Sequence, residues 1–317
     1  MANLVYGQPY CDIFLNLHLR SFLDPTNAHK WKKRLEYLLF TDSETAPVIK
    51  SHPAFRALGD VLSVSVQTFG WQNDQNKYES RYGVQVTTFD AAVREALKRG
   101  TYLQYTTADT VYAKNYLDQT FRKLDAGHDA IMINPIRATL ESVTPNLIKY
   151  TGAAPALELF DIAYSNLHPL SIAAHWDCPT FSKIPDVLYW NSGKGLLQRP
   201  FSLSPISISP NESMVGLDRV MDAGLQPLLK NPYFCNDWLE CPLVGAEPIM
   251  TWYSPFSNKR AGEVNFLERE TIPHRQVNVG RKFFYPSEEI ANFGQPQLMA
   301  SDIAVAPIFA SINSKSL

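Results

Sequence analysis

Along the first part of the chain the order of apolar and polar residues switches between the period of a strand and the period of a helix. Val61-Leu62-Ser63-Val64-Ser65-Val66 alternates every second residue and predicts a strand. Leu35 to Phe40 is another run of strand length. It ends at Thr41-Asp42-Ser43-Glu44, which reads as a loop and helix cap. Phe89, Val93, Ala96 and Leu97 recur at helical spacing. Thr88 is suited to cap that helix, with Asp90 in its first turn, Lys98 and Arg99 in its last, and Gly100 beyond. Tyr102 to Thr106 is the next strand and runs into Thr107-Ala108-Asp109. A helix from about Asn115 buries Leu117, Phe121 and Leu124 and stops at Gly127, ahead of a strand at Ala130 to Ile133. The opening stretch, Cys11 to Leu19, reads as a strand or as a strand running into a helix.

Strands alternating with helices imply an α/β fold with a mainly parallel sheet flanked by helices. Residues 35–40, 61–66, 102–106 and 130–133 are expected to be neighbours in it. Ligands of such sheets sit beyond the carboxyl ends of the strands. Thr41-Asp42, Asp109 and the stretch Asn134 to Arg137 all fall at those ends.

The second half reads differently. Pro155 to Leu167 is a helix with proline in its first turn. Pro, Ser, Trp and Tyr then dominate. Short strands are expected at Leu188 to Trp190 and Phe201 to Ile206, a polar loop at Pro255 to Arg275, and a weakly helical tail beyond Pro286. With no repeat or long linker, the expectation is one domain with two lobes, about 1–150 and about 151–317, the second irregular.

Composition narrows the function classes. A net charge of -2 gives no concentrated cationic surface for nucleic acid. The run Lys30-Trp31-Lys32-Lys33-Arg34 reads as a solvated helix face. No apolar stretch approaches the roughly 20 residues of a membrane span, and Met1 to Tyr10 lacks the regions of a signal peptide. A cytoplasmic location is expected. Cys11, Cys178, Cys235 and Cys241 form no CxxC pair and are expected to be reduced. Cys235, Cys241 and His274 match no standard zinc spacing. The dinucleotide fingerprint GxGxxG after a strand, the P-loop, the GxSxG elbow and HExxH are all missing from the sequence.

Several residues are candidates for chemistry. A carboxylate just past a central strand, such as Asp109, can hold a ribose hydroxyl or a cation on a diphosphate, or simply make a turn. Asp42 has the same logic and the same alternative as a helix start. Arg137 can fork onto a phosphate or form a surface salt bridge, and Arg199 is read in the same way. His175, Trp176 and Asp177 put an imidazole and a stacking face together, as an acid–base group and an acceptor platform, or as a pinned loop; His168 reads as a satisfied loop histidine. Asp237 and Glu240 flank Trp238, as a base for a sugar hydroxyl or as an amphipathic turn.

The alternating first half and the segment YLQYTTADTVY, Tyr102 to Tyr112, resemble the nucleotide-sugar glycosyltransferases of the GT-A type. The segments FLNLHLRSFLDPTN, LLFTDSETAPVI and LHPLS…LYWNSGKGLLQRPFSLSP also look like a group of little-characterised, transferase-like bacterial proteins. In the GT-A family the corresponding strand ends in an Asp-x-Asp motif that meets the donor nucleotide and its metal. Here Asp109 is present, and Val111 stands in the place of the second aspartate. The resemblance implies a GT-A-like donor half, a nucleotide-sugar donor, a sugar or glycan acceptor, and a role in polysaccharide biosynthesis. It implies donor contacts from Asp42, Asp109 and Arg137, acceptor contacts from Trp176 and Arg199, and a base among His175, Asp237 and Glu240. Either Asp109 holds a manganese or magnesium ion, or Arg137 and helix N-terminal amides replace the metal and no cofactor is needed; the second version is preferred. The alternative is a non-catalytic nucleotide- or sugar-binding protein that kept the pocket.

Overall fold

Seven strands form one sheet in the order β3-β2-β1-β4-β10-β6-β11. This is a computed structural model, and it describes residues 1–70, 77–180, 187–192, 195–201, 203–217, 225–249, 260, 281–285 and 295–313. The strands are β1 (Ala2–Val5), β2 (Glu36–Asp42), β3 (Ser63–Phe69), β4 (Leu103–Thr107), β6 (Ala130–Ile133), β10 (Ser204–Ile208) and β11 (Pro232–Phe234). All run in one direction except β10, which is antiparallel to both β4 and β6. The expected strands therefore do share one sheet, although β3 starts only at Ser63, because Val61 closes the preceding helix at Pro53–Val61. They are not all neighbours, because β1 separates β2 from β4 and β10 separates β4 from β6. Pro205 lies in β10 beside a register shift, which relieves the amide it cannot supply.

Two smaller sheets stand over the carboxyl ends of these strands. One is β5 (Thr110–Tyr112), β12 (Leu243–Glu247) and β7 (Ile136–Thr139). The other is β8 (Val187–Ser192), β9 (Gly195–Pro200) and β13 (Phe283–Tyr285). Strands from the two halves of the chain interleave in the main sheet and in the first small one.

Helices cover both faces. Their order is α1 (Gln8–Ile13), a π-helical turn at Phe14–His18, α2 (Leu19–Phe22), α3 (Thr45–Ser51), α4 (Pro53–Val61), α5 (Lys77–Arg99), α6 (Tyr116–Asp125), α7 (Leu140–Leu147), α8 (Ala156–Tyr164), α9 (Pro169–Ile172) and α10 (Gln295–Asn313). Residues alternate between the faces along each strand: Leu4 and Met132 pack with Phe89 and Val93 of α5, whereas Val5, Ile131 and Ile133 pack with Phe14, Phe22 and Leu117. Each large apolar side chain buried in this way contributes about 2 kcal/mol.

Three expectations need correction. Cys11 to Leu19 is helical, because Gly7 at φ 72° turns the chain after β1 and Pro9 starts α1. Thr88 lies inside α5 and caps nothing; its hydroxyl bonds back to the Val84 carbonyl and to Tyr105 Oη at 2.7 Å. The run Phe201 to Ile206 enters the sheet only from Ser204. By contrast Gly100, at φ 62°, ends α5 with the Thr101 amide on the Ala96 carbonyl, as a C-terminal glycine should. Asn115 and Gly127 bracket α6 as expected. The stretch Pro255 to Arg275 lies outside the described residues except for Arg260. Beyond Pro286 the described part of the tail is α10.

The helix starting at Gln8 is pinned to the sheet by a buried histidine. His18 Nδ1 donates to the Thr110 carbonyl at 2.9 Å, which leaves Nε2 to accept from Asn3 Nδ2 and Tyr37 Oη at 3.3 and 3.1 Å. Burial is the dominant influence on this imidazole and pulls its pKa down to about 3, so it stays neutral.

Candidate functional site

The strand order reverses between β1 and β4. From β1 the chain moves outward to β2 and β3, and then returns to the other side of β1 as β4. An open α/β sheet leaves its ligand crevice at such a point, beyond the carboxyl ends. Tyr6 and Gly7 follow β1 there, Asp42 and Phe69 close β2 and β3, and Asp109 follows β4. The rings of Tyr6 and Phe69 meet edge to face at 6.4 Å.

Asp109 is held where β4 turns into β5. Its carbonyl accepts the Ala246 amide at 2.8 Å, and its carboxylate accepts the Thr107 hydroxyl. The pairing of β5 with β12 brings Glu247 beside it. Arg137, on β7, runs alongside β12 and sets Nε 3.4 Å from Glu247 Oε1. Burial and the neighbouring Glu247 carboxylate push the Asp109 pKa up to about 6; Thr107 and Arg137 pull against them. The result is a half-buried carboxylate that holds or releases a proton near neutral pH, next to a second carboxylate and a guanidinium. Glu141, in the first turn of α7, accepts the amide of Ile249, two residues beyond Glu247, at 3.3 Å.

The other expected residues do not all join this group. Asp42 is 2% exposed, and protein donors saturate it: Gly7 N and Thr45 Oγ1 on one oxygen, Glu44 N and Thr45 N on the other. Burial raises its pKa, but those bonds outweigh it and hold the carboxyl below its ordinary value. Asp42 thus shapes the crevice by tying the turn after β1 to the start of α3. Asp237 and Glu240 form a capping box around the turn at Trp238–Glu240. Asp237 accepts Leu239 N at 2.7 Å, and Glu240 accepts Asp237 N, Asn236 N and Tyr233 Oη. Arg199 is 2% exposed and reaches Ser301 and Asp302 of α10, which clamps that helix to β9.

His175 packs on Tyr189 with ring centres 5.5 Å apart, and burial lowers its pKa against the pull of Asp177. Trp176 stacks on Trp190 at 5.5 Å and 18°. His168 caps α9: its Nδ1 accepts Leu170 N, so Nε2 donates to the Pro248 carbonyl at 3.2 Å. Cys235 and Cys241 are buried free thiols, and His274 lies outside the described residues. Among the described residues no group of three or more His, Cys, Asp or Glu is arranged to hold a metal, and no helix is long and apolar enough to cross a membrane.

Glu247 was the residue that sequence reasoning missed. Leu243 to Ala246 is a short apolar run closed by an acidic residue, the same strand-end signal that singled out Asp109. Other depressions lie elsewhere. A cavity of about 130 Å³ lined by Ala2, Tyr37, Ala96 and Leu103 opens at the amino-terminal end of the strands. A cleft of about 570 Å³ runs past Asn16, Arg20, Asp24, His52 and Gly152. Arg20 and Asp24 spend their polar groups there on the backbone of Ile148, Tyr150 and Ala153, so the cleft is a seam between segments.

Compared with known proteins, the chain matches no family model and no curated protein.

Proposed function

We propose that the chain is a GT-A-like glycosyltransferase that moves a sugar from a nucleotide-activated donor to a sugar or glycan acceptor. The observation that carries this reading is the meeting of Asp109, Glu247 and Arg137 beside the point where the strand order reverses. A nucleotide base suits the aromatic edge of Tyr6 and Phe69. The diphosphate then reaches Arg137, whose guanidinium offsets the charge of the leaving group. Asp109 anchors the donor through hydroxyls; in the cation version Asp109 and Glu247 would be the residues to hold a divalent cation, which would offset the charge of the leaving diphosphate.

In the transfer itself an acceptor hydroxyl attacks the anomeric carbon, the bond from that carbon to the diphosphate oxygen breaks, and the hydroxyl proton passes to a carboxylate. Asp237 and Glu240 are committed to their capping box, so that role falls to Asp109, whose pKa of about 6 suits a base at neutral pH, or to the neighbouring Glu247. Arg137 is a cation in hand, which supports the metal-independent version. The test is donor turnover with a matched acceptor, in EDTA and again with manganese. Activity that survives EDTA supports the arginine version, and activity only with manganese supports the cation version.

A second reading, a binding protein without turnover, draws on one observation: Asp42, Asp237, Glu240 and Arg199 all serve the fold. Tight nucleotide-sugar binding with no transfer across a broad acceptor panel would favour it.

A further inference from the structure

The sheet β8-β9-β13 has two faces that do different things. Paired residues in antiparallel strands share a face, so Tyr189, Gln198 and Phe283 point the same way. Leu197 and Arg199 point the other way, toward α10, where Arg199 meets Ser301 and Asp302. The alternation continues just before β13. Lys282 reaches Asp302 on the α10 side at 2.8 Å, whereas Arg281, one residue earlier, lies over the ring of Phe234 with Cζ 3.5 Å from its centre. Phe234 ends β11 at the carboxyl edge of the main sheet. Asn134, just past the adjacent β6, donates to Gln198 Oε1 at 2.7 Å. Arg281 and Gln198 therefore share the inner face, above the ends of β6 and β11.

Both of these side chains keep a buried donor with no acceptor. Arg281 Nε and Gln198 Nε2 have no hydrogen-bond partner, and no carboxylate among the described residues pairs with Arg281. Gln198 is 0% exposed. A buried unmet donor costs about 1–3 kcal/mol, and a charged one more. Two on one face, with a guanidinium stacked rather than ion-paired, are what a site looks like when the missing acceptor arrives with a ligand.

We infer that Arg281 and Gln198 form an oxyanion-binding subsite over the ends of β6 and β11, which takes a phosphate or carboxylate group. Arg281 supplies the charge and a planar set of N–H groups held in orientation by Phe234. Gln198, fixed by Asn134, supplies a second donor from deeper in the wall. The assignment does not depend on sugar transfer.

The test uses the full chain, labelled with nitrogen-15, titrated with sodium phosphate and in parallel with sodium acetate, against sodium chloride at equal ionic strength. The Arg281 Nε–H signal is assigned by its loss in Arg281→Lys. It should move saturably with phosphate, with acetate or with both, and not with chloride. The two arms distinguish a phosphate from a carboxylate ligand. In Gln198→Met the affinity should fall about tenfold. The melting temperature of the unaltered protein should also rise with the ion that binds, a readout that needs no variant. Movement with none of these ions, the same movement with chloride, or unchanged affinity in Gln198→Met would overturn the assignment.

Discussion

The carbonyl of Asp109 accepts the amide of Ala246 at 2.8 Å, and this one bond sets the Asp109 carboxylate beside that of Glu247. Two acidic groups far apart in sequence are forced together by the pairing of β5 with β12, and the Thr107 hydroxyl and the Arg137 guanidinium offset part of their repulsion. The fold carries an electrostatic strain at the point where it is best placed to meet a ligand.

That strain has a measurable sign. The folded-state pKa of Asp109 is raised to about 6, above the ordinary value near 4. Its contribution to stability is therefore full below pH 4 and is lost as pH rises through 6. Asp109→Asn should leave stability unchanged at pH 4 and increase it at pH 8, by about 1–2 kcal/mol after allowance for partial exposure. Urea unfolding of both proteins at the two pH values checks this.

His18 has the opposite sign. Its imidazole is held neutral in the fold with a pKa of about 3, whereas the unfolded chain protonates it near 6.5. Between those values the unfolded state binds the extra proton, so stability falls as pH falls, by about 1.4 kcal/mol per pH unit from this residue alone. His18→Gln should be less stable at pH 7.5 and should show a shallower loss toward pH 5, as followed by chemical denaturation across that range.

Gly152 is required by a close approach. A Cβ at that position would lie 2.4 Å from Asp24 Oδ2, the oxygen that accepts the Ala153 amide. Gly152→Ala should lower stability by about 1–3 kcal/mol through overpacking. The penalty of Gly152→Ala should be smaller in an Asp24→Ala background than in the unaltered protein, a coupling that a double-mutant cycle measures.

The first half of the fold was legible because its elements are local. The alternation at Val64 and Val66, the glycines after α5 and α6, and the stripe Leu117, Phe121, Leu124 each follow from a few residues. The opening helix was misread because Phe14, Leu15, Leu17 and Leu19 are nearly continuous in apolar character and are buried almost all round, so neither period stands out. Asp109 and Arg137 were visible as strand ends. Their partnership with Glu247 was not, because it arises from a long-range strand pairing that no local pattern encodes. Asp42, Asp237 and Glu240 had the right chemistry in the right places, but backbone amides claim their oxygens, and sequence alone does not decide between a cap and a ligand contact.

The central claim is tested most directly by isothermal titration calorimetry with a panel of nucleoside diphosphates and nucleotide sugars, with and without manganese. The best-bound compound is then titrated into Arg137→Ala and Asp109→Asn. The account predicts saturable binding to the unaltered protein and a loss of about tenfold or more in each variant, since each removes a charge-assisted contact, with both variants still folded by circular dichroism. No binding from the panel, or affinities unchanged in both variants, would contradict it.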